Sequence, residues 1–342
     1  MPTYDPRELR AAATDAFTLR SGVNIENPHP LAEQVGRLPL KDLAERFGEA
    51  SGKPLSQAFS AFRAGLTTAD FGLAMGEGLR QMMLLQFATM AEHRQVCAPL
   101  EVKDFRTIDL DFLDIDGTLA AVAEGGEIQH QDQGVVIGKG NSARLTSYAR
   151  ALHISRQLII NDQWGILQRA FSSLGGSSSR LENKMVFDSL ESNPTLGDSE
   201  PTFHSDHGNV VADALDASAL AAAMAALRTQ LTPSGQQAGH AARVLAVSPA
   251  LEYTARKLTH EAGIDLAVIA SPNIAAGRWY LFASPETAPV VTRLHLTGAR
   301  DRPFRLEPVR SPDGRDGLSL KLTTDLGVSV VSRVGCIRGG TV

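Results

Sequence analysis

Apolar residues recur along this chain first at helical and later at strand spacing. Phe71, Met75, Leu79, Met82, Met83 and Phe87 follow one another at helical intervals, behind a capping-box-like Thr67 and Asp70. This spacing predicts a helix over about 68–91. A second stripe, Trp164, Leu167, Phe171, Leu174, Leu181 and Met185, predicts a longer helix from a cap at Asn161 or Asp162 to about Leu190. Such a helix is on the order of 40 Å long, and Gly175 and Gly176 in its middle are expected to weaken or kink it.

Residues 1–66 hold three short helix-compatible stretches, about 6–20, 40–50 and 55–64, separated by NPHP, Pro39, Gly52 and Pro54. So punctuated a segment is expected to wrap over something else rather than form its own core. Short alternating runs from Val102 to Leu113 predict a half-buried strand. The following stretch is Gly-rich and polar in its first half and alternates in its second, with Leu145, Ser147, Ala149 and Ala151 opposite Thr146, Tyr148, Arg150 and Leu152. Together the halves predict a long exposed hairpin feeding a sheet. Beyond them come an alanine-rich helix at 218–230, a strand at 243–247, a helix opening at Ser248-Pro249 and stopping at Gly263, and strands near 266–270, 278–283, 290–297, 304–309, 317–323 and 327–333. Segregated helices and strands place the chain in the mixed α+β class.

Composition narrows the function classes. With 342 residues and 43% hydrophobic content the chain can bury a substantial core, and a net charge of −5 offers no global basic excess for gripping nucleic acid. Contact with DNA is therefore expected to be local and non-specific. Cys97 and Cys336 lack the spacing of a zinc site or a disulfide scaffold, so free thiols are expected. The N-terminal MPTYDPRELRAAATDAF puts charges where a secretory signal needs an apolar core, and no run of about 18 uncharged apolar residues follows. A soluble cytoplasmic product without a membrane partner is the expectation.

Three motifs invite chemistry. In FHSDHGN, His204, Asp206 and His207 suggest a metal-dependent hydrolase, but the segment follows a Pro-containing turn and precedes Gly208, where the one-turn helical spacing of paired zinc ligands is out of place. A loop-structuring role is expected instead, with the hydrolase as the alternative. GVVIGKGNS has Lys139 one residue early for a phosphate loop and Gly140 in place of the magnesium-binding hydroxyl. GGSSS at 175–179 falls inside a predicted helix, not on a strand-to-helix elbow. No acid, base and nucleophile come together, so no catalytic, cofactor-binding or metal-binding residue is assigned and no enzyme is expected.

Read in order, TTADFGLAMGEGLRQMM, EGGEI, SYARALHISRQLIINDQWG, NPTLGDSEPTFHSDHGN, RVLAVSPALEYTARKL and GVSVVSRVGCIRGG resemble the major head subunit of Mu-like phages and the capsid part of prohead protease/capsid fusions. The similarity runs over roughly residues 20–340. It implies the Hong Kong 97-type capsid fold: an N-terminal arm at 1–66, a helix and first P-domain strand at 67–111, an E-loop at 112–148, and a P-domain with its spine helix at 149–203. An A-domain at 204–285 and returning strands at 286–342 complete it. The implied function is that of a major capsid protein of a tailed phage, located in the virion and assembled in the host cytoplasm as hexamers and pentamers of an icosahedral shell around double-stranded DNA. Another self-assembling phage structural protein is the alternative.

A portal, a scaffold, a separate maturation protease and a decoration protein are the further partners the resemblance implies. Intersubunit contacts are expected from the E-loop residues Glu124, Glu127, Lys139 and Arg144. Some capsids of this fold join a lysine to an asparagine across subunits. No acceptor or activating acid matches Lys139 here, so no such cross-link is expected.

Overall fold

The structure, a computed structural model, describes residues 5–53, 57–115, 135–299, 303–309 and 316–340. Helices α1 (Pro6–Arg20), α2 (Ala32–Gly36), α3 (Leu40–Ala50) and α4 (Ala58–Thr67) precede α5 (Ala69–Thr89). Strands β1 (Cys97–Val102), β2 (Ile108–Ile115), β3 (Val135–Ala143) and β4 (Thr146–Ser155) lead to α6 (Arg156–Ile160) and the 28-residue α7 (Trp164–Glu191). Then come β5 (Val210–Val211), α8 (Ala217–Thr229), β6 (Ala242–Val247), α9 (Glu252–Glu261), β7 (Ala267–Ala270), β8 (Trp279–Ala283), β9 (Val291–Leu296), β10 (Arg305–Val309), β11 (Gly317–Val330) and β12 (Cys336–Gly339).

The chain forms two compact units, the first drawn from residues 1–91, 147–180 and 301–325. Its core joins Leu9 and Phe17 of α1, Leu43 and Phe47 of α3 and Phe62 of α4 to Phe71, Met75, Leu79 and Phe87 of α5. Of the punctuated N-terminal helices, α1 packs along α5 while α3 and α4 pack closely on each other and join the same core, so the segment closes partly on itself. Phe17 stacks on Trp164 at 5.1 Å and meets Phe71 edge-on at 6.3 Å. α5 starts from Thr68, one residue later than predicted, and the Thr68 hydroxyl turns back to the Gly65 carbonyl. Strand β11 lies between β4 and β10 here, with Arg305–Val309 antiparallel to Ser319–Thr323.

Asp162, read from sequence as a cap for the long helix, works elsewhere. Its Oδ1 accepts the Leu40 N–H at 3.0 Å, one of the orphan donors opening α3, and its Oδ2 lies 3.4 Å from Arg20, whose guanidinium sits over Trp164. One side chain therefore ties α1, α3 and the start of α7 together. Asp162→Ala is expected to cost about 1–2 kcal/mol through the orphaned donor and the lost pair. Thermal melts of the two proteins would read this directly; an unchanged midpoint would refute the tie.

α7 runs unbroken through Gly175 and Gly176, against the expected kink. The glycines serve packing: a Cβ at position 175 would stand 2.4 Å from the Met83 carbonyl oxygen of α5. What helix propensity loses there, close approach of two helices regains.

The second unit is drawn from residues 92–146, 181–300 and 326–342. Its main sheet has the order β5-β12-β8-β6-β7, with β6 parallel to β7 and antiparallel to β8. Trp279, Leu281 and Ile337 meet Leu220, Ala223 and Leu227 of α8 and Ala255 of α9 in one cluster, and Tyr280, Phe282 and Cys336 join Val186, Phe187 and Leu190 of α7 in another. A parallel pair, β1 with β9, is extended by Gly327–Val330 of β11.

Three strand expectations are corrected. The Val102–Leu113 strand is two, β1 and β2, with residues 103–107 between them. The strands predicted at 317–323 and 327–333 are one 14-residue strand, because Asp325-Leu326-Gly327, which resembles a turn, stays extended: Leu326 is buried and Asp325 accepts from Ser147 and Arg305. β12, too short and Gly-flanked to be predicted, is an inner strand of the main sheet.

Candidate functional site

The motifs that suggested chemistry are absorbed by local structure. His204 precedes and His207 closes a single 3-10 turn, Ser205–His207, that Gly208 ends in the left-handed region at φ 60°. His204 Nδ1 accepts the Asp206 N–H at 3.3 Å. His207 places Nδ1 3.2 Å from the Thr202 carbonyl and Nε2 3.1 Å from Asp198, which Arg333 also grips at 3.2 Å. The two rings meet edge to face, with centroids 6.0 Å apart. Among the described residues no group of three or more His, Cys, Asp or Glu is placed to hold a metal ion. The hydrolase reading has no support, and the histidines stitch a loop.

Val135 to Ser142 of GVVIGKGNS lie on β3. In GGSSS, Ser177 and Ser178 donate back to carbonyls four residues earlier on α7. Both cysteines are buried free thiols. Burial, then the Glu182 charge, pushes the Cys97 thiol up, and burial does the same for Cys336, so neither is a ready nucleophile.

The most organised polar arrangement is one that sequence reasoning missed. Glu182, fully buried on α7, accepts from Arg94 in a fork, Nε at 2.8 Å and Nη2 at 3.0 Å. Arg293 Nε lies 3.5 Å away from β9, and His93 Nε2 3.2 Å away. Burial alone would raise the carboxyl's pKa, yet the contacts from His93 and Arg94 and the charges of Arg94 and Arg293 hold it down at about 2. Nothing in SRLENKM distinguishes Glu182 from a solvated helix glutamate. Its partners arrive from a segment 88 residues away and from a strand beyond, which only the tertiary fold brings together. The arrangement ties α7 and β9 to the turn just before β1.

The other conspicuous feature is the β2/β3 ribbon. Ile108–Ala143 to Ile115–Val135 pair antiparallel, with an irregularity between Asp109 and Asp111, as a sheet of only two strands. Its base is fastened where Leu110 and Ala143 pack with Leu145, Leu294 and Val331, and Ser329 donates to the Ser142 carbonyl. Of the predicted contact residues, Glu124 and Glu127 lie outside the described residues. Lys139 pairs by backbone with Asp111, and Arg144 is exposed just past the end of β3. The alternation at 145–152, read from sequence as the second half of the hairpin, lies on β4, which pairs with β11 and not with this ribbon.

Comparison with known proteins places these features in context. A family model described as phage capsid protein matches residues 140–339. No curated protein matches the chain. Among solved structures, the virus-like particle from Pyrococcus furiosus is similar at 14% identity with a TM-score of 0.50, over 77% of this chain and 97% of that one. The capsid of Cyanophage P-SCSP1u aligns at 10% identity and a TM-score of 0.47, over 74% and 88%. The procapsid of satellite phage P4 aligns at 13% identity and 0.44, over 76% and 90%.

Proposed function

Since the chain belongs to the phage capsid protein family and has the α+β, Hong Kong 97-type capsid fold, we propose that it assembles as hexamers and pentamers into the icosahedral shell of a tailed phage around double-stranded DNA. Its role as a major capsid protein is structural, and its place is the virion. In this reading residues 1–66 are the N-terminal arm, 112–148 the E-loop, 149–203 the P-domain with α7 as spine, and 204–285 the A-domain. The observation that carries it is the β2/β3 ribbon. A two-stranded sheet is marginal in water, so its described outer pairs, Phe112 with Gly138 to Ile115 with Val135, would gain from burial against a neighbour. Rings of identical chains supply that neighbour at every position. No enzymatic step is assigned to the chain. A portal, scaffold, separate protease and decoration protein would act on the assembled or assembling shell.

Light scattering across a concentration series and negative-stain images test the assembly. Closed shells or ring-shaped oligomers are the expected result; tubes, or a strict monomer at high concentration, would overturn it. Hydrogen exchange adds a local reading: strand amides at 112–115 and 135–139 should gain protection on assembly, while residues 164–174 are protected in both states. Reversing Lys139 and Arg144 to Glu is expected to raise the concentration needed for assembly about tenfold, because reversed charges at a desolvated contact are costly while solvated ones are nearly neutral. Unchanged assembly of that variant would remove these two residues from the interface.

A further inference from the structure

On the surface of the first unit, α5 and the first part of α7 enclose an open groove of about 630 Å³. One wall is Met82 and Gln86, one helical turn apart on α5, with Met90 just past its end. The other is a stripe of α7 from Gly165 to Arg180, about 22 Å long at ~1.5 Å per residue. Its small members, such as Ser172 and Gly176, give the groove depth. The helices touch beneath it, where the Ser172 hydroxyl donates to Gln86 Oε1 at 3.3 Å.

The charge of the groove is one-sided. Arg169 and Arg180 line it, about 16 Å apart along α7, and no carboxylate does. Arg169 donates to the Gly165 carbonyl at 3.2 Å and Arg180 to Ser177 Oγ at 2.8 Å. Neither forms an ion pair with a carboxylate among the described residues. Apolar surface accompanies them: Leu85 and Ile166, one helical step from lining residues, are 56% and 43% exposed.

We propose that this groove docks an acidic amphipathic helix of a separate protein. Two helices with facing stripes accept a third at the ordinary interaxial distance of about 8–10 Å, with an apolar stripe over the two methionines and acids placed three turns apart against the arginines. A nucleic acid is the poorer fit. Two arginines neutralise about two phosphates, too few for useful affinity at physiological salt, and a methionine floor offers a phosphodiester nothing.

The test uses unassembled full-length chain and a fluorescent peptide of about 20 residues, long enough to be helical, with a leucine stripe and two glutamates eleven residues apart. Saturable binding is expected, weakened at least about tenfold by R169E with R180E and regained by those variants for the mirror peptide carrying lysines. Both arginines are exposed, and circular dichroism checks that the fold survives. Gly165→Trp, at a position with nothing within 4 Å of a Cβ, fills the groove and should abolish binding. Equal affinity for both proteins, a 20-base-pair duplex competing better than the peptide, or altered self-association of the reversed chain with the peptide unbound would each overturn the proposal, the last by giving the face to a second copy.

Discussion

Replacing Glu182 by Gln is expected to cost the second unit about 3–5 kcal/mol, because Arg94 and Arg293 then lose the fully buried carboxylate that they share. The loss reflects removing one member of a buried charge network, not the network's net worth. Replacing Glu182, Arg94 and Arg293 together by Leu or Met should therefore recover much of it. The same carboxyl makes stability depend on acid. Its folded-state pKa, about 2, lies below the ordinary 4.5, so its contribution is complete above 4.5 and is lost as pH falls toward 2. That shift corresponds to about 3 kcal/mol. Melting curves at pH 7, 4.5, 3 and 2.5 should show the native protein losing about that much more than Glu182→Gln over the acid range. Parallel curves for the two would mean that the carboxyl does not hold the unit together.

Substituting Gly48 or Gly65 by Val is expected to unfold or loosen the first unit by about 3 kcal/mol or more. The two glycines face each other across α3 and α4. A Cβ on Gly48 would lie 1.8 Å from the Ala61 carbonyl oxygen, and one on Gly65 1.7 Å from that of Ala44. Both obstacles are backbone, which a rotamer change cannot clear, so the helices must separate and Phe47 and Phe62 lose their packing. Even Gly48→Ala, which gains up to about 1 kcal/mol in helix propensity, should lose on balance. Gly165→Ala is the control, since open space surrounds it and only the propensity gain remains. Denaturant midpoints of the three proteins decide the matter: a Gly48→Ala protein as stable as the native chain would show that the helices do not need this contact.

Periodicity alone located most elements, because their apolar positions face a core whatever that core turns out to be. The stripe from Phe71 to Phe87 became α5, and the stripe from Trp164 to Met185 became α7. Alternation at 145–152 marked β4, and the alanine-rich pattern at 218–230 marked α8, which the structure caps with Asp216. Ordered resemblance of short strings, not any one motif, pointed to the capsid family. The histidine motif was read as loop-structuring on local grounds, and a left-handed glycine does follow it at once.

Tertiary structure alone decided the rest, and in each case the deciding contact is distant in sequence. Gly175 is a helix-weakening residue until Met83 stands against it. Asp162 is a helix cap by its position, yet it satisfies the first turn of α3, 122 residues away. Asp325-Leu326-Gly327 is turn-like chemistry held straight by Ser147, Arg305 and a buried leucine, so two predicted strands became one. Glu182 is indistinguishable from a surface residue until the fold surrounds it with Arg94, Arg293 and His93. Sequence patterning sets which face of an element is apolar, because that depends on local spacing. Which polar residue is buried, and with what partner, depends on where the other elements go.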